Sequence, residues 1–212
     1  FVQTQAANSG LKWETTDEIN VGLDYAILNN KIFGSFDYFT RNTSGILITP
    51  PVAATLGEGQ SKAVNGASKS NKGWEFVLGY RGSVGNDLKF NLVSNFAHFR
   101  DEITELPENV RPAYAGNLVN TIIGHSQFDI FGYKTNGLFQ SQAEVDAAPK
   151  QIGAGPGRIR YVDINGDNRI DDLDRTWIGT TLPALEYGLR LDLTYKKFDA
   201  SIFGSGVAGR EG

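Results

Sequence analysis

The chain contains no cysteine, no methionine and only two histidines in 212 residues. The missing cysteines exclude disulfides, cysteine-ligated zinc and thiol catalysis. The missing methionine removes any initiator, so a processed product or a piece of a longer protein is expected. Both ends read as cuts: Phe1 starts in ordinary sequence, and "FGSGVAGREG" stops just after an alternating apolar run. A dominant charge is lacking too. Lys and Arg number 20 against 24 Asp and Glu, a net charge of −4, so there is no strong pull toward nucleic acid or an anionic membrane. No basic-aromatic cluster suggests a nucleic-acid surface. No apolar run approaches the ~20 residues of a membrane helix. Glycine (25 residues) and aromatic side chains (11%) are plentiful instead, as in an all-β protein with many turns.

The apolar signal has period two, and successive strand side chains point to opposite faces. In "INVGLDYAIL", Ile19, Val21, Leu23, Tyr25 and Ile27 share one face, with Asn20, Gly22, Asp24 and Ala26 on the other. Asn29 and Asn30 supply a turn tolerant of positive φ. "KIFGSFDYFTR" resumes with Ile32, Phe36 and Tyr38 on one face and Phe33, Ser35, Asp37 and Phe39 opposite. A second hairpin sets Trp74, Phe76, Leu78 and Tyr80 against Glu75, Val77, Gly79 and Arg81. It turns at Gly85–Asp87 and returns through Leu88, Phe90, Leu92 and Phe96, with Lys89, Asn91 and Asn95 opposite. A third sets Leu189, Leu191, Leu193 and Tyr195 against Arg190, Asp192 and Thr194. It turns at Lys196–Lys197 and continues through Phe198, Ala200 and Ile202.

Turns within hairpins are short, whereas connections between them are long: Thr43 to Asn71, and Glu102 to Leu182. Short turns at one end, long loops at the other and ten-residue alternating strands describe a transmembrane β-barrel. A soluble sandwich or lipocalin-like barrel is also half apolar. Three features favour the membrane: charges on the polar faces (Asp24, Asp37, Arg81, Lys89, Asp192), aromatics near strand ends (Trp13, Trp74, Phe99, Tyr195, Phe198), and the loop asymmetry.

The longer connection carries "YVDINGDNRIDDLD" (161–174). Counted from Asp163, the residues Asp163, Asn165, Asp167, Arg169, Asp171 and Asp174 occupy positions 1, 3, 5, 7, 9 and 12 of an EF-hand-type calcium loop, where position 7 offers its carbonyl. Ile170 suits position 8. Asn168 replaces the usual glycine at position 6, and Asp174 is a methylene shorter than the usual glutamate. No flanking helices are evident. A metal-free turn held by Asx hydrogen bonds is therefore the favoured reading, with calcium on these six residues as the other. No catalytic residue stands out. The carboxylates show no division into acid and base. His98 (mid-strand) and His125 (beside Gly124) lack short-spaced ligand partners, and no nucleotide or phosphate loop is present. Tyr114, Phe128, Phe131, Tyr133 and Phe139 in the long connection are expected to pack it onto the barrel rim. "TPPVAATLGEG" and "NGASKSN" read as a mobile extracellular loop.

Several blocks, in order from about Leu11 to Gly209, resemble the SusC/RagA-type TonB-linked outer-membrane transporters. "LKWETTDEINVGLDYAILNNKIFGSFDYFTRNTSGIL" resembles a late-barrel segment of that family, and "NKGWEF" a strand start. "GYKTNGLFQSQAEV" resembles its G-Y-x-x-x-G segment, and "GPGRIRYVDINGDNRIDDLDRTWIG" its acidic signature. The resemblance implies that 1–212 is the C-terminal part of a 22-stranded antiparallel barrel, with plug and N-terminal domains lying outside it. Residues 139–181 would form an extracellular loop bearing the acidic turn. It further implies an outer-membrane location facing lipid, and no enzymatic activity. The implied function is TonB-driven import of an oligosaccharide or peptide. The partners would be the rest of the transporter chain, a SusD-like lipoprotein and TonB. The competing expectation is a soluble all-β module binding calcium or carbohydrate.

Overall fold

The structure, a computed structural model, describes residues 8–49 and 62–211. Strands β1 (Thr15–Ile27) and β2 (Ile32–Ile48) meet at Leu28, Asn29 and Asn30, whose φ angles are 53°, 57° and 63°. Asparagine populates this left-handed region more readily than most residues, so the expected turn forms where the sequence places it. β3 (Val64–Val84) and β4 (Leu88–Glu105) turn at Gly85, φ 60°. β9 (Leu185–Tyr195) and β10 (Phe198–Ala208) turn at Lys196, φ 55°. These six strands form one antiparallel sheet in the order β1-β2-β3-β4-β9-β10.

The strands run further than their apolar alternation suggested. β3 alone has 21 residues, about 70 Å at ~3.3 Å per residue, against the ~9–11 residues that cross a bilayer. The extra length lies at the loop end. "NGASKSN" (65–71), expected in a mobile loop, is strand: Asn71 pairs with Arg41 and Asp101, and Ser70 with Asn42 and Glu102. Period-two hydrophobicity fades there because these rows stand beyond the apolar belt. Residues 50–61, most of the other half of that expected loop, lie outside the described residues.

The connection from β4 to β9 is built rather than structureless. β5 (Asp129–Tyr133) pairs with β8 (Arg175–Thr180), and β6 (Thr135–Leu138) with β7 (Ile159–Tyr161). Helix α1 (Gln142–Ala147) starts at Ser141, whose hydroxyl accepts the Glu144 N–H. The buried apolar cluster sits at this end of the molecule, not in the middle of the sheet. Ile48 and Ala67, at the loop ends of β2 and β3, meet Leu106, Val110 and Ile122. Tyr114 and Trp177 pack against them.

Candidate functional site: the inner wall and the acidic turn

Register places every expected apolar face on one side of the sheet. Val21 pairs with Tyr38, Tyr38 with Trp74, and Trp74 with His98. Leu23, Phe36, Phe76, Phe96 and Tyr187 form the next row toward the turns. Between the turns and the Trp74–His98 row this face carries no charged side chain. Charges resume beyond it at Asp17, Lys72 and Arg100. Its outer strands are bare, with Leu23 65% exposed and Ile202 63%, while Trp74, Phe76 and Phe96 in the middle of the sheet are half-buried among their neighbours. β9 shows the height of the belt. Tyr187 and Tyr195 bracket three leucines, about 27 Å along the strand and about 20 Å along the normal at a ~40° tilt, close to the ~25 Å apolar band of outer-membrane barrels. Of the expected girdle aromatics, Trp74, Tyr195 and Phe198 lie on this face. Phe99 lies on the opposite one, paired with Gly73, because it is an odd position on a strand whose even positions face outward. Trp13 precedes β1 and is 95% exposed.

The other face is polar and cross-linked. Asp192 accepts hydrogen bonds from Arg190 Nε (3.0 and 3.1 Å), Ser201 Oγ (2.7 Å) and Asn91 Nδ2 (3.4 Å). Arg81 donates to Asn91 Oδ1 (3.4 Å), and its guanidinium carbon lies 4.0 Å from the centre of the Phe33 ring. Phe33 in turn covers Gly79, where a Cβ would collide with the ring. The same device recurs with Phe39 on Gly73 and, on the outer face, with Tyr25 on Gly34 and Tyr187 on Gly206. An aromatic ring laid over a cross-strand glycine covers backbone that no side chain would otherwise shield.

The acidic turn forms a closed ring of side-chain-to-backbone bonds. Asp163 accepts the N–H groups of Gly166 (2.6 Å) and Asn168 (2.8 Å). Asn165 accepts that of Asp167, and Asp167 that of Arg169. Asp171 caps a single 3-10 turn, Asp172–Asp174, through the Leu173 N–H. Asp174 is fully buried. Its Oδ1 accepts the Ile164 and Asn165 N–H groups (2.8 and 3.4 Å), and its Oδ2 accepts that of Asp171 (2.8 Å). Burial alone would raise its pKa. The bonds from the Asp171, Ile164 and Asn165 N–H groups outweigh that and hold the carboxyl below its ordinary range. The ring is also tied outward: Lys150 N–H donates to Asn168 O, and Asn117 Nδ2 to Asp172 O.

The six expected calcium ligands are thus neighbours in one turn, and Asn168 does take the left-handed φ of 70° that position 6 requires. Both oxygens of Asp163 and of Asp174 face backbone donors. Among the described residues no three His, Cys, Asp or Glu side chains converge on a point able to hold a metal ion.

His98 stands on the outer row, its Nδ1 2.6 Å from Ala184 O. His125 stacks on Trp177 at 4.1 Å and pairs with Asp129 (3.1 Å). Ser126, fully buried, donates to Asp101 Oδ1 (2.7 Å). This Asp101–Ser126–Asp129 anchor fastens the long connection to the end of β4, and nothing in the local sequence marked it, since its partners lie 25 residues apart. Phe139 is buried, Phe131 meets Trp177 and Tyr133 meets Tyr161. Phe131 and Tyr133 therefore pack within the long connection rather than onto the rim, Tyr114 meets the cluster at the strand ends as expected, and Phe128 stays 46% exposed.

The family model described as "TonB dependent receptor-like, beta-barrel" matches residues 1–205. The chain is 29% identical over 219 aligned positions to TonB-dependent receptor P3 of Formosa agariphila, covering 99% of the chain and 22% of that protein. It is 29% identical over 204 positions to TonB-dependent receptor SusC of Bacteroides thetaiotaomicron, covering 93% of the chain and 20% of SusC. Its backbone superposes on the RagAB peptide importer in the open-open state with a TM-score of 0.74 at 22% identity, covering 98% of the chain and 22% of the importer chain. The chain spans about a fifth of the length of the curated relatives it matches.

Proposed function

Because the chain belongs to the TonB-dependent receptor β-barrel family, whose members are outer-membrane transporters and not enzymes, we propose that it forms barrel wall and extracellular loops of an importer of oligosaccharides or peptides. Import is driven through TonB, and a SusD-like lipoprotein covers the extracellular mouth. The observation that carries this reading is the uncharged, exposed apolar belt shared by six strands, backed by a wet, charged inner face. A soluble module would leave that belt in water, far beyond the patch sizes soluble monomers expose. The likeness to the RagAB peptide importer supports peptides as the cargo, and the likeness to TonB-dependent receptor SusC supports a TonB-linked receptor. The test is uptake of labelled oligosaccharide and peptide mixtures by cells with and without the intact gene. Loss of uptake of one class, abolished equally by a proton uncoupler, is expected. Unchanged uptake of both classes would end the proposal.

For the acidic turn we propose a structural brace closed by its own hydrogen bonds. Calcium on Asp163, Asn165, Asp167, Arg169, Asp171 and Asp174 is the second reading, favoured by the left-handed Asn168. Calcium titration of the purified transporter separates the two. Heat that depends on Asp163 and Asp167 supports the metal, and no heat supports the brace.

A further inference from the structure

Asparagine followed by glycine is a chemically labile pair. The glycine has no Cβ to hinder its nitrogen from closing on the asparagine side-chain carbon. The chain holds three such pairs: Asn65–Gly66, Asn136–Gly137 and Asn165–Gly166. The fold treats them differently.

Two are locked. Asn65 Oδ1 accepts the Lys12 N–H (2.8 Å), and its Nδ2 donates to Lys12 O (2.7 Å) and Gly45 O (2.6 Å). Asn165 Oδ1 accepts the Asp167 N–H (3.0 Å), and its Nδ2 donates to Asp167 Oδ2 (3.1 Å). The Gly166 N–H is itself held by Asp163 Oδ1 (2.6 Å). Turning either side-chain amide onto the following nitrogen breaks several of these bonds.

The third is open. β6 and β7 pair Thr135 with Tyr161 and Leu138 with Ile159, and the ladder skips Asn136 and Gly137 between them. Residues skipped in this way are released from the regular ladder. Both are exposed, and Gly137 takes a φ of 75°. Among the described residues no hydrogen bond engages the Asn136 side-chain amide, whereas its backbone oxygen accepts Arg160 Nε at 3.1 Å. That oxygen belongs to the peptide group whose nitrogen is Gly137's. When the Gly137 N–H loses its proton, the charge spreads onto the Asn136 oxygen, and a guanidinium bonded there stabilises it. Glu144, the carboxylate nearest this guanidinium, stands 4.0 Å off. Asn136 and Arg160 also line a concavity of about 400 Å³ with Glu144 and Asp163.

We propose that Asn136 is a site of spontaneous self-modification, activated by Arg160. The deprotonated Gly137 nitrogen attacks Asn136 Cγ, and the Cγ–Nδ2 bond breaks. Nδ2 leaves as ammonia, carrying in net the proton that Gly137 gave up. Water then opens the five-membered succinimide at either carbonyl, giving isoaspartate or aspartate. Isoaspartate inserts a methylene into the backbone three residues before Phe139. Phe139 is buried, its N–H donates to Arg158 O (2.9 Å), and its carbonyl accepts the Gly157 N–H (2.7 Å). Both products also add a negative charge beside Glu144 and Asp163. The modification therefore loosens the β6–β7 ribbon irreversibly as the molecule ages. The proposal is independent of the transport reading above.

The experiment ages the intact purified transporter in heavy-oxygen water at mildly alkaline pH. Peptides are then sequenced by mass spectrometry with electron-transfer fragmentation, which separates isoaspartate from aspartate. Heavy oxygen is expected at position 136, mostly as isoaspartate, with Asn65 and Asn165 slower by about tenfold or more. A urea-unfolded control should bring the three rates within a few-fold of one another, because sequence alone then sets them. Arg160→Leu should slow the reaction at Asn136 by about three- to tenfold, the worth of one exposed charge-assisted hydrogen bond. A substitution that merely loosened the ribbon would speed it instead. No label at 136 in the folded protein while the unfolded control reacts, equal labelling of all three pairs in the folded protein, or an unchanged or faster reaction in R160L overturns the proposal. Amides of Leu138, Phe139 and Tyr161 should exchange faster in the modified fraction, and equal exchange overturns the loosening.

Discussion

Asp174→Ala is expected to open the acidic turn while leaving the barrel folded. The buried Asp174 carboxylate holds two bonds of 2.8 Å, from the Ile164 and Asp171 N–H groups, and a longer one from Asn165. A hydrogen bond to a charged group contributes about 1.5–3 kcal/mol net. Losing both short bonds therefore costs about 3–6 kcal/mol of local stability. At ~1.4 kcal/mol per tenfold, amide exchange across 163–174 should rise by roughly two to four orders of magnitude. Asp174→Asn keeps one acceptor oxygen but turns an NH₂ toward one of the donors, so it should fall between wild type and alanine. Hydrogen exchange of the intact transporter in detergent reads this directly, with amides of β3 as the unchanged control. The pH dependence follows from the same geometry. The folded pKa of Asp174 is depressed, so its stabilisation is complete above the unfolded value of about 3.9 and is lost as pH falls through the folded value. Protection, corrected for intrinsic exchange, should be flat from pH 7 to 5 and decline below about pH 4. Equal protection in all three proteins, or a decline centred near neutral pH, would refute the brace.

Leu191→Arg on the apolar belt should cost about 2–4 kcal/mol of barrel stability if the face meets lipid, whereas Thr194→Arg on the inner face should cost little. The unfolding temperature of the heat-modifiable band measures both, and equal effects would contradict the assignment of faces. Gly79→Ala places a methyl in the Phe33 ring and should cost about 1–3 kcal/mol through overpacking. Gly79→Ala combined with Phe33→Leu should recover part of that loss in the same assay. Ser126→Ala removes a buried hydroxyl bonded to Asp101. It should cost about 1–3 kcal/mol, seen as faster proteolysis between 106 and 184 with the barrel band unchanged.

Much of the sheet was legible because alternation is a local property. The apolar residues of β9 and the turn at Lys196 follow from neighbours two residues apart, and asparagine and glycine announce the other two tight turns. The acidic turn was legible for the same reason, since the Asx bonds of Asp163, Asn165, Asp167 and Asp171 reach only two to five residues along the chain, whereas Asp174 reaches back ten and nine residues to Ile164 and Asn165. Strand ends were less so. Residues 65–71 look like loop because the belt that forces alternation ends at Lys72, where water and the long connection take over from lipid. Phe99 looked like a girdle aromatic because position near a strand end says nothing about face unless the phase is carried through from Trp74 and His98.

The sequence by itself determined the class, the hairpins, the long connections and the family blocks, because each rests on short-range pattern. Only the tertiary structure decided three things. It buried Asp174, which the sequence offered as the twelfth position of a calcium-loop spacing, by folding 163–174 into a ring. It set the core at the loop end by bringing Ile48 and Ala67 to Leu106, Val110 and Ile122. It sorted the inner charges into rows, because a row is made by register. Asn91 and Asp192 meet across 101 residues of chain, and no window on the sequence spans the strand pairing that brings them together.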